Sequence, residues 1–354
     1  MWAVIVKEFL ELRRDRRSMA MVIALPILLL VVFGYAANFN VVHIKTDVVG
    51  PGAVAASKAL PPPLQVSSVD PAGTTASAEQ ALRENKANVA IVTSSDASPV
   101  ALVDGSELFA AQAAVRGLTQ AKPPIEPKIL FNPELKTSWV MVPALAGLIL
   151  AFIGTIITSL GLVRERQAGT LEQLAVMPLR ASDVIGGKVV PYFVLASLDM
   201  LVVTILGVIL FGVPFNGSIP VFALGAVLFV FVVLGVGVFI STISENQGQA
   251  IQTAIFFLMP QILLSGMIFP LAGMPWAIRW IGYVLPLTYF TEIARGVMLR
   301  AESFASLWPA FAVLAGMAVL VFGAAVRRLS RDLAPNVGRA ESVPAPAPAP
   351  APAA

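Results

Sequence analysis

Residues that could take part in chemistry are rare in the apolar parts of this chain. Asp199 is the one carboxylate well inside a long apolar run, and an acid at membrane depth is costly and by default suggests substrate binding or proton handling. A structural hydrogen bond to a neighbouring Ser or Thr explains Asp199 equally well. Glu292 and Arg295 are spaced i, i+3, which favours an ion pair on one helix over a ligand site. These three residues are the candidates for a substrate path.

The residue types exclude several other kinds of site. The chain has no cysteine and a single histidine, His43, which excludes Cys-ligated zinc and iron–sulfur clusters and argues against a catalytic triad. The run SDVIGGKV at 182–189 comes nearest to a phosphate-binding loop, but Ser182 replaces the first glycine and Val189 replaces the final Ser or Thr. We therefore predict no catalytic residue, no metal and no cofactor in this chain.

The elements that must position these residues are mostly long apolar helices. The chain has 354 residues, of which 57% are hydrophobic and 13% charged, a balance that indicates a membrane protein. The apolar residues form long runs rather than the alternating pattern of a β-barrel. A run of about 20 residues is enough to cross a bilayer. Such runs predict six transmembrane helices, at 19–36, 139–163, 189–213, 219–243, 250–270 and 307–326.

Lysines and arginines predict how these helices are oriented. They cluster before the first span, between the second and third, and after the sixth. By the positive-inside rule those segments are cytoplasmic, which places both termini in the cytosol and residues 37–138 outside the membrane. Residues 1–17 predict an amphipathic interfacial helix on the cytoplasmic leaflet. Residues 327–354 form a cytoplasmic tail, and its Pro-Ala-rich end, from about residue 343, is predicted to be disordered.

Two segments outside the spans carry structure of their own. Residues 37–138 mix β-like and helix-like runs and are numerous enough for a small core, so we predict a compact α/β extracytoplasmic domain. Ser77 and Ser106 are the predicted N-caps of its two helices. Residues 271–306 combine helix-breaking prolines with tryptophans and tyrosines, which predicts short re-entrant or interfacial helices at the outer face. The predicted fold class is an α-helical polytopic membrane protein with an α/β domain between its first and second transmembrane helices.

A polar segment at 164–188 separates the second and third spans. Thr170 and Gln173 form a T-x-x-Q capping box and Pro178 stops the helix, which is therefore short, roughly 10 Å at 1.5 Å per residue. A capped turn that only reverses the chain is an equally good interpretation. The functional interpretation is that an apolar ridge including Leu174 inserts into a groove on a cytosolic partner.

The run ERQAGTLEQLAVMPLRASDVIGGK, at 165–188, resembles the coupling segment of type-two ABC exporter permeases. The resemblance extends, in the same order along the chain, to other segments. They lie at 14–36, 103–114, 131–145 and 264–300. The subgroup that the chain resembles is that of multidrug-type bacterial efflux permeases with a large extracytoplasmic domain.

The resemblance implies a permease subunit of an ATP-driven exporter in the bacterial inner membrane, with drug-like, lipid or other amphipathic substrates. It implies a second permease copy or close homologue and a separate cytosolic ABC ATPase that carries ATP and magnesium. A periplasmic adaptor is a further candidate partner, and nucleic acid is not one. The residues that it implies in coupling to the ATPase are Arg164, Glu165, Arg166, Gly169, Thr170, Leu171, Glu172, Gln173, Leu174 and Pro178.

Two functions from other classes stay open at this point. The first is a proton-coupled secondary transporter with Asp199 as the relay. Such carriers usually show broken helices in corresponding halves, whereas here one broken region follows Ser265 and the first half has no counterpart. The second is a membrane-anchored scaffold or receptor that acts through the external domain, which leaves the capped cytoplasmic helix unexplained.

Overall fold

The computed structural model describes residues 43–94, 98–121, 125–168 and 181–333, together with residues 20, 26, 27 and 30. Four predicted features lie outside the described residues, wholly or for the most part. They are the amphipathic helix at 1–17, the first span at 19–36, the capped helix within 169–180 and the tail from 334. The described chain has two parts, an α/β domain and a bundle of helices.

The α/β domain is built on one five-stranded sheet in the order β2-β1-β3-β4-β5. The β3–β4 pair is antiparallel and the other three pairs are parallel. The strands are β1 (Ile44–Val49), β2 (Leu64–Asp70), β3 (Val89–Val92), β4 (Val100–Asp104) and β5 (Glu126–Leu130). The helices are α1 (Ala53–Lys58), α2 (Thr75–Arg83) and α3 (Leu108–Gln120).

The apolar strands of this sheet are covered by helices on both faces. Successive side chains of a strand point to opposite faces, so Ile91 packs in one cluster with Leu118 of α3, while Ala90 packs in another with Leu82 of α2. All four side chains are fully buried. This two-sided burial explains why β3 and β4 read as continuous apolar runs rather than alternating ones.

Both predicted N-caps of this domain are wrong. The cap of α2 is Thr74, whose hydroxyl accepts a hydrogen bond from Ser77 N at 3.3 Å, and Ser77 Oγ accepts one from Thr74 N at 2.9 Å. Ser77 is therefore the third helical residue of a reciprocal capping box. The cap of α3 is Glu107, without a side-chain capping bond. The hydroxyl of the preceding Ser106 is instead donated to Asp104, at 2.6 Å.

The bundle contains seven helices within the described part of the chain. They are α4 (Thr137–Gln167), α5 (Ala181–Phe211), α6 (Ile219–Ile243), α7 (Gln247–Leu264), α8 (Trp276–Gly282), α9 (Pro286–Met298) and α10 (Phe304–Leu333). Four stretches among the described residues are long and apolar enough to cross a membrane. They are Thr137–Glu165, Val189–Phe211, Ile219–Ile243 and Phe304–Arg328. Four of the six predicted spans are thus found.

The fifth predicted span, 250–270, is a shorter helix than expected. Helix α7 ends at Leu264, because the chain turns at Gly266 with a φ of 82°, a conformation that glycine adopts readily. Glutamines at both ends and Pro260 lower its apolar character, and α7 is not among the four long apolar helices. A 3₁₀ turn at Leu271–Gly273 then leads into α8 and α9.

Helix α4 lies at the centre of the bundle, against α5, α6, α7 and α9. Glycines allow α4 and α6 to approach closely, since a Cβ on Gly237 would lie 2.8 Å from Thr158 Cβ and one on Gly154 would lie 2.8 Å from Val233 Cγ1. Small residues have this role in membrane helix pairs. Helices α5 and α10 are peripheral, since their apolar windows are only 17% and 22% buried. We call the end of the bundle that adjoins the α/β domain the domain end, and the opposite end the far end.

Candidate functional site

At the far end, hydrogen bonds tie the base of the predicted coupling segment to the turn between α6 and α7. Arg164 Nε donates to Gln247 Oε1 at 3.3 Å, and Gln247 Nε2 donates to Gln167 Oε1 at 2.9 Å. The turn itself is fixed, because Asn246 caps α7 by accepting a hydrogen bond from Gln249 N at 2.9 Å. From the sequence, Glu245, Asn246 and Gln247 are predicted to form a tight, solvated turn without a functional role, although a polar run before an apolar helix is a capping signal.

The remaining predicted coupling residues are only partly described. Glu165 and Arg166 lie in the last turn of α4, beside Arg164. Gly169, Thr170, Leu171, Glu172, Gln173, Leu174 and Pro178 lie outside the described residues. Their role in coupling stays a prediction.

Asp199 lies on α5 and does not line the cavity that Glu292 and Arg295 of α9 share, so the three candidate path residues do not form one site. Among the described residues, Asp199 Oδ2 is buried without a hydrogen-bond partner, and so is the hydroxyl of Ser197. The structural hydrogen bond that would account for this acid is therefore not found at Oδ2. A functional role for Asp199 stays a prediction.

The predicted ion pair between Glu292 and Arg295 is wrong. Arg295 is only 6% exposed, and no salt bridge joins it to Glu292, although the structure describes both residues. Its guanidinium donates instead to backbone carbonyls, those of Val140 at 3.0 Å, Gly266 at 3.4 Å and Met267 at 3.2 Å. Carbonyls near the C-terminus of a helix such as α7 need donors, and one arginine supplies several. Arg295 therefore fastens α9 to α4 and to the turn after α7.

Glu292 faces a polar cavity of about 380 Å³ between the α/β domain and α8 and α9. Lys45 and Glu107 line it from the domain, and Arg279 and Thr291 line it from the bundle. Burial raises the pKa of Glu292, while nearby Arg300 opposes the rise. The Glu292 side chain is nevertheless exposed, since it opens onto the cavity, and it has no hydrogen-bonded partner among the described residues.

A polar cluster, buried except for Arg83, joins the α/β domain to the bundle at the domain end. Its centre is Arg300, 1% exposed, whose Nη2 lies 2.7 Å from Glu302 Oε2. Arg300 also donates to Ser106 Oγ at 2.9 Å and to the carbonyl of Arg83 at 3.2 Å, while Arg83 Nη1 donates to the carbonyl of Arg300 at 2.5 Å. Ser106 in turn donates to Asp104 Oδ1. We call these five residues the Arg300 cluster.

Burial raises the pKa of Asp104 to about 6, against the opposing effects of Arg300 and of the hydrogen bonds from Ser106. For Arg300, burial lowers the pKa, but the carboxyls of Asp104 and Glu302 more than offset this and raise it overall. The cluster was not predicted from the sequence. The signal was present, because the resembling segments 103–114 and 264–300 carry Asp104, Ser106 and Arg300.

Residues 16–327 match the model of a protein family described as ABC-2 family transporter protein. Over 189 residues the chain is 34% identical to the probable multidrug ABC transporter permease YbhR of Escherichia coli K12, covering 52% of this chain and 51% of that protein. It is 32% identical over 219 residues to the inner membrane transport permease YhhJ of the same strain, covering 59% and 56%. It is 28% identical over 211 residues to ABC transporter G family member 20 of Dictyostelium discoideum, covering 59% and 29%. The chain thus matches about half the length of its bacterial relatives.

Proposed function

The chain belongs to the ABC-2 transporter family, and from this premise we propose that it is the membrane-spanning permease subunit of an ATP-driven exporter. The observation that carries the proposal is at the far end of the bundle. There Gln247 binds both Arg164 and Gln167, so hydrogen bonds hold the end of α4 to the α6–α7 turn directly before residues 169–180. We call this hydrogen-bonded pair of elements the tied base. In this proposal, the coupling segment that follows moves together with α4 and α6.

ATP and magnesium belong to a separate cytosolic ATPase in this proposal, because the run at 182–189 lacks the residues of a phosphate-binding loop. Leu171, Leu174 and Pro178 form the ridge that enters a groove of the ATPase. Arg164, Glu165 and Arg166 hold its base. When the ATPase closes, its movement is transmitted to α4 and α6, which move as a rigid body.

The translocation path lies between two permease copies, either identical or closely related. The apolar outer faces of α5 and α10 support this arrangement, since they are free to meet lipid or a second copy. The positive-inside pattern supports a cytoplasmic far end and an extracytoplasmic α/β domain in a bacterial inner membrane. YbhR is named a probable multidrug ABC transporter permease, which supports drug-like substrates for this chain. The proposal extends these substrates to lipid or other amphipathic molecules and adds a periplasmic adaptor at the α/β domain.

Asp199 favours one alternative, a proton-coupled secondary transporter. Its Oδ2 is buried without a partner among the described residues, as expected of an acid that exchanges protons. This alternative does not use the tied base at the far end.

Co-purification with an ATPase encoded beside the permease tests the proposal. We expect the wild type to bind the ATPase and to alter its ATP hydrolysis in lipid, and Leu174→Asp to lose both effects. The matched control is Val54→Asp, the same kind of change on an exposed residue of α1, and it should behave as wild type. If no ATPase binds the wild type, the exporter proposal fails and Asp199→Asn becomes the next variant to test for proton-driven transport.

A further inference from the structure

The cavity that Glu292 faces has the size and position of a ligand site. Its volume is about 380 Å³, within the roughly 300–1,000 Å³ usual for small-molecule pockets. Its walls come from two parts of the protein, the α/β domain and the helices α8 and α9, and pockets occur preferentially at such junctions.

The arginines that line this cavity are already occupied by other protein groups. Arg279 donates to the carbonyls of Ala272 at 3.2 Å and Met274 at 2.8 Å. Arg295 donates to three carbonyls, and Arg300 is paired with Glu302. Their donors therefore point into the protein and leave few for a ligand.

The carboxylates that line the cavity are in the opposite situation. Within the described part of the chain, the side chains of Glu292 and Glu107 take part in no hydrogen bond and no ion pair, although both line the cavity. Carboxylates without protein partners are free to form charge-assisted hydrogen bonds with a ligand of opposite charge.

Two buried hydroxyls and a tyrosine ring also favour a cationic ligand. Ser265 is 2% and Thr291 3% exposed, both line the cavity, and neither hydroxyl has a partner among the described residues. They are acceptors for a donor-rich ligand. Tyr283 also lines the cavity, and a tyrosine ring attracts a cation over its face. Lys45 is the one lining cation of the described structure without a hydrogen bond from its side chain, and it opposes a cationic ligand.

We propose that this cavity binds the cationic group of an exported amphiphile, an ammonium or another organic cation, with Glu292 as its counter-ion. Glu107 faces the ligand from the α/β domain, and the hydroxyls of Ser265 and Thr291 accept its donors. The inference rests on the proposed export function, because it names the substrate class of the same permease.

The test uses two probes of nearly equal size and opposite charge, tetraphenylphosphonium and tetraphenylborate, with the full-length protein in phosphatidylcholine nanodiscs. Binding is measured by equilibrium dialysis at pH 8, and partition into empty nanodiscs is subtracted. We expect Glu292→Gln to weaken phosphonium binding roughly tenfold or more and not to weaken borate binding. Lys45→Gln should strengthen phosphonium binding. The matched control is Glu134→Gln, which removes a surface carboxylate paired with Lys136 and should change neither.

Equal phosphonium affinity in the wild type and in Glu292→Gln would overturn the inference, and so would a wild-type preference for the borate that Glu292→Gln does not change. If Glu292→Gln does not fold, Glu107→Gln and Lys45→Gln test the site instead. Glu107→Gln should weaken phosphonium binding and Lys45→Gln should strengthen it. An unchanged phosphonium affinity in both variants refutes the site. The assay contains no ATPase. A protein that binds the ATPase but not the cation therefore refutes the site alone, and the reverse result refutes the exporter alone.

Discussion

Replacing Arg300 by methionine should loosen the joint between the α/β domain and the bundle by about 3–5 kcal/mol. Arg300 and Glu302 are 1% and 4% exposed, and their ion pair is 2.7 Å long. Methionine removes the charge but keeps most of the side-chain volume, so the cost of a cavity stays small. The free energy lost is that of a buried carboxylate left without its partner, together with the hydrogen bonds to Ser106 and to the carbonyl of Arg83.

Hydrogen exchange of the full-length protein in nanodiscs measures this loss where it occurs. Backbone amides of residues 296–306 report the joint, because Glu302 N donates to Gly296 O next to the ion pair. A loss of 3–5 kcal/mol lowers their protection by about two to four orders of magnitude, at about 1.4 kcal/mol for each tenfold change. Amides in the middle of α6, remote from the cluster, serve as the internal control.

The double variant Arg300→Met/Glu302→Leu separates the ion pair from packing. It leaves no unpaired charge at Glu302, and a buried pair replaced by apolar side chains is often close to neutral. We expect it to recover most of the protection that Arg300→Met loses. Unchanged exchange in the single variant, or a double variant as unprotected as the single one, would refute this account of the joint.

Asp104→Asn should remove a pH dependence of stability. The pKa of Asp104 is about 6 in the folded protein against a usual 3.8, so between about pH 4 and 6 the unfolded chain has released a proton that the folded protein keeps, and stability falls as pH rises. This difference in pKa amounts to about 3 kcal/mol of unfolding free energy. Denaturant titrations of wild type and variant across this pH range measure it, and parallel pH profiles for the two proteins would contradict the prediction. Gly237→Leu should destabilise the protein by about 1–3 kcal/mol through overpacking, since its Cβ would lie 2.8 Å from Thr158 Cβ, whereas Gly323→Leu has nothing within 4 Å. A thermal shift equal for both glycine variants would argue against the close helix contact. Gln247→Ala should reduce the coupling of ATP hydrolysis to transport more than it reduces ATPase binding, as read from the ratio of transport to hydrolysis, and an unchanged ratio would mean that the tied base is not needed.

Hydrophobic composition and length were enough to predict four of the six proposed membrane spans. Four predicted spans are helices long and apolar enough to cross a membrane, because hydrophobic length is a property of the local sequence. The end of α7 was missed because the turn at Gly266 depends on carbonyls that Arg295 holds from 28 residues away. The cap of α2 was misplaced because Thr74 and Ser77 are both good capping residues, and only the chain direction before the helix decides between them.

The candidate site was harder to predict for a related reason. The i, i+3 spacing of Glu292 and Arg295 suggested that they pair, but spacing says nothing of remote partners. The carbonyl that Arg295 Nε binds, that of Val140, is 155 residues away, and Arg300 binds Ser106 at a separation of 194. The first contact follows from the packing of α9 against α4, and the second from the docking of the α/β domain on the bundle. No local pattern encodes either of them.

The most direct test of the central claim uses the absence of cysteine in this chain. Leu174→Cys introduces a single thiol, and a bifunctional maleimide–photoreactive reagent then links it to whatever protein lies beside it in native membranes. The account predicts a product that contains the permease and its ATPase, and none from the matched variant Val54→Cys on the α/β domain. ATPase cross-linked from Val54, or none from Leu174 when both chains are present, would contradict it.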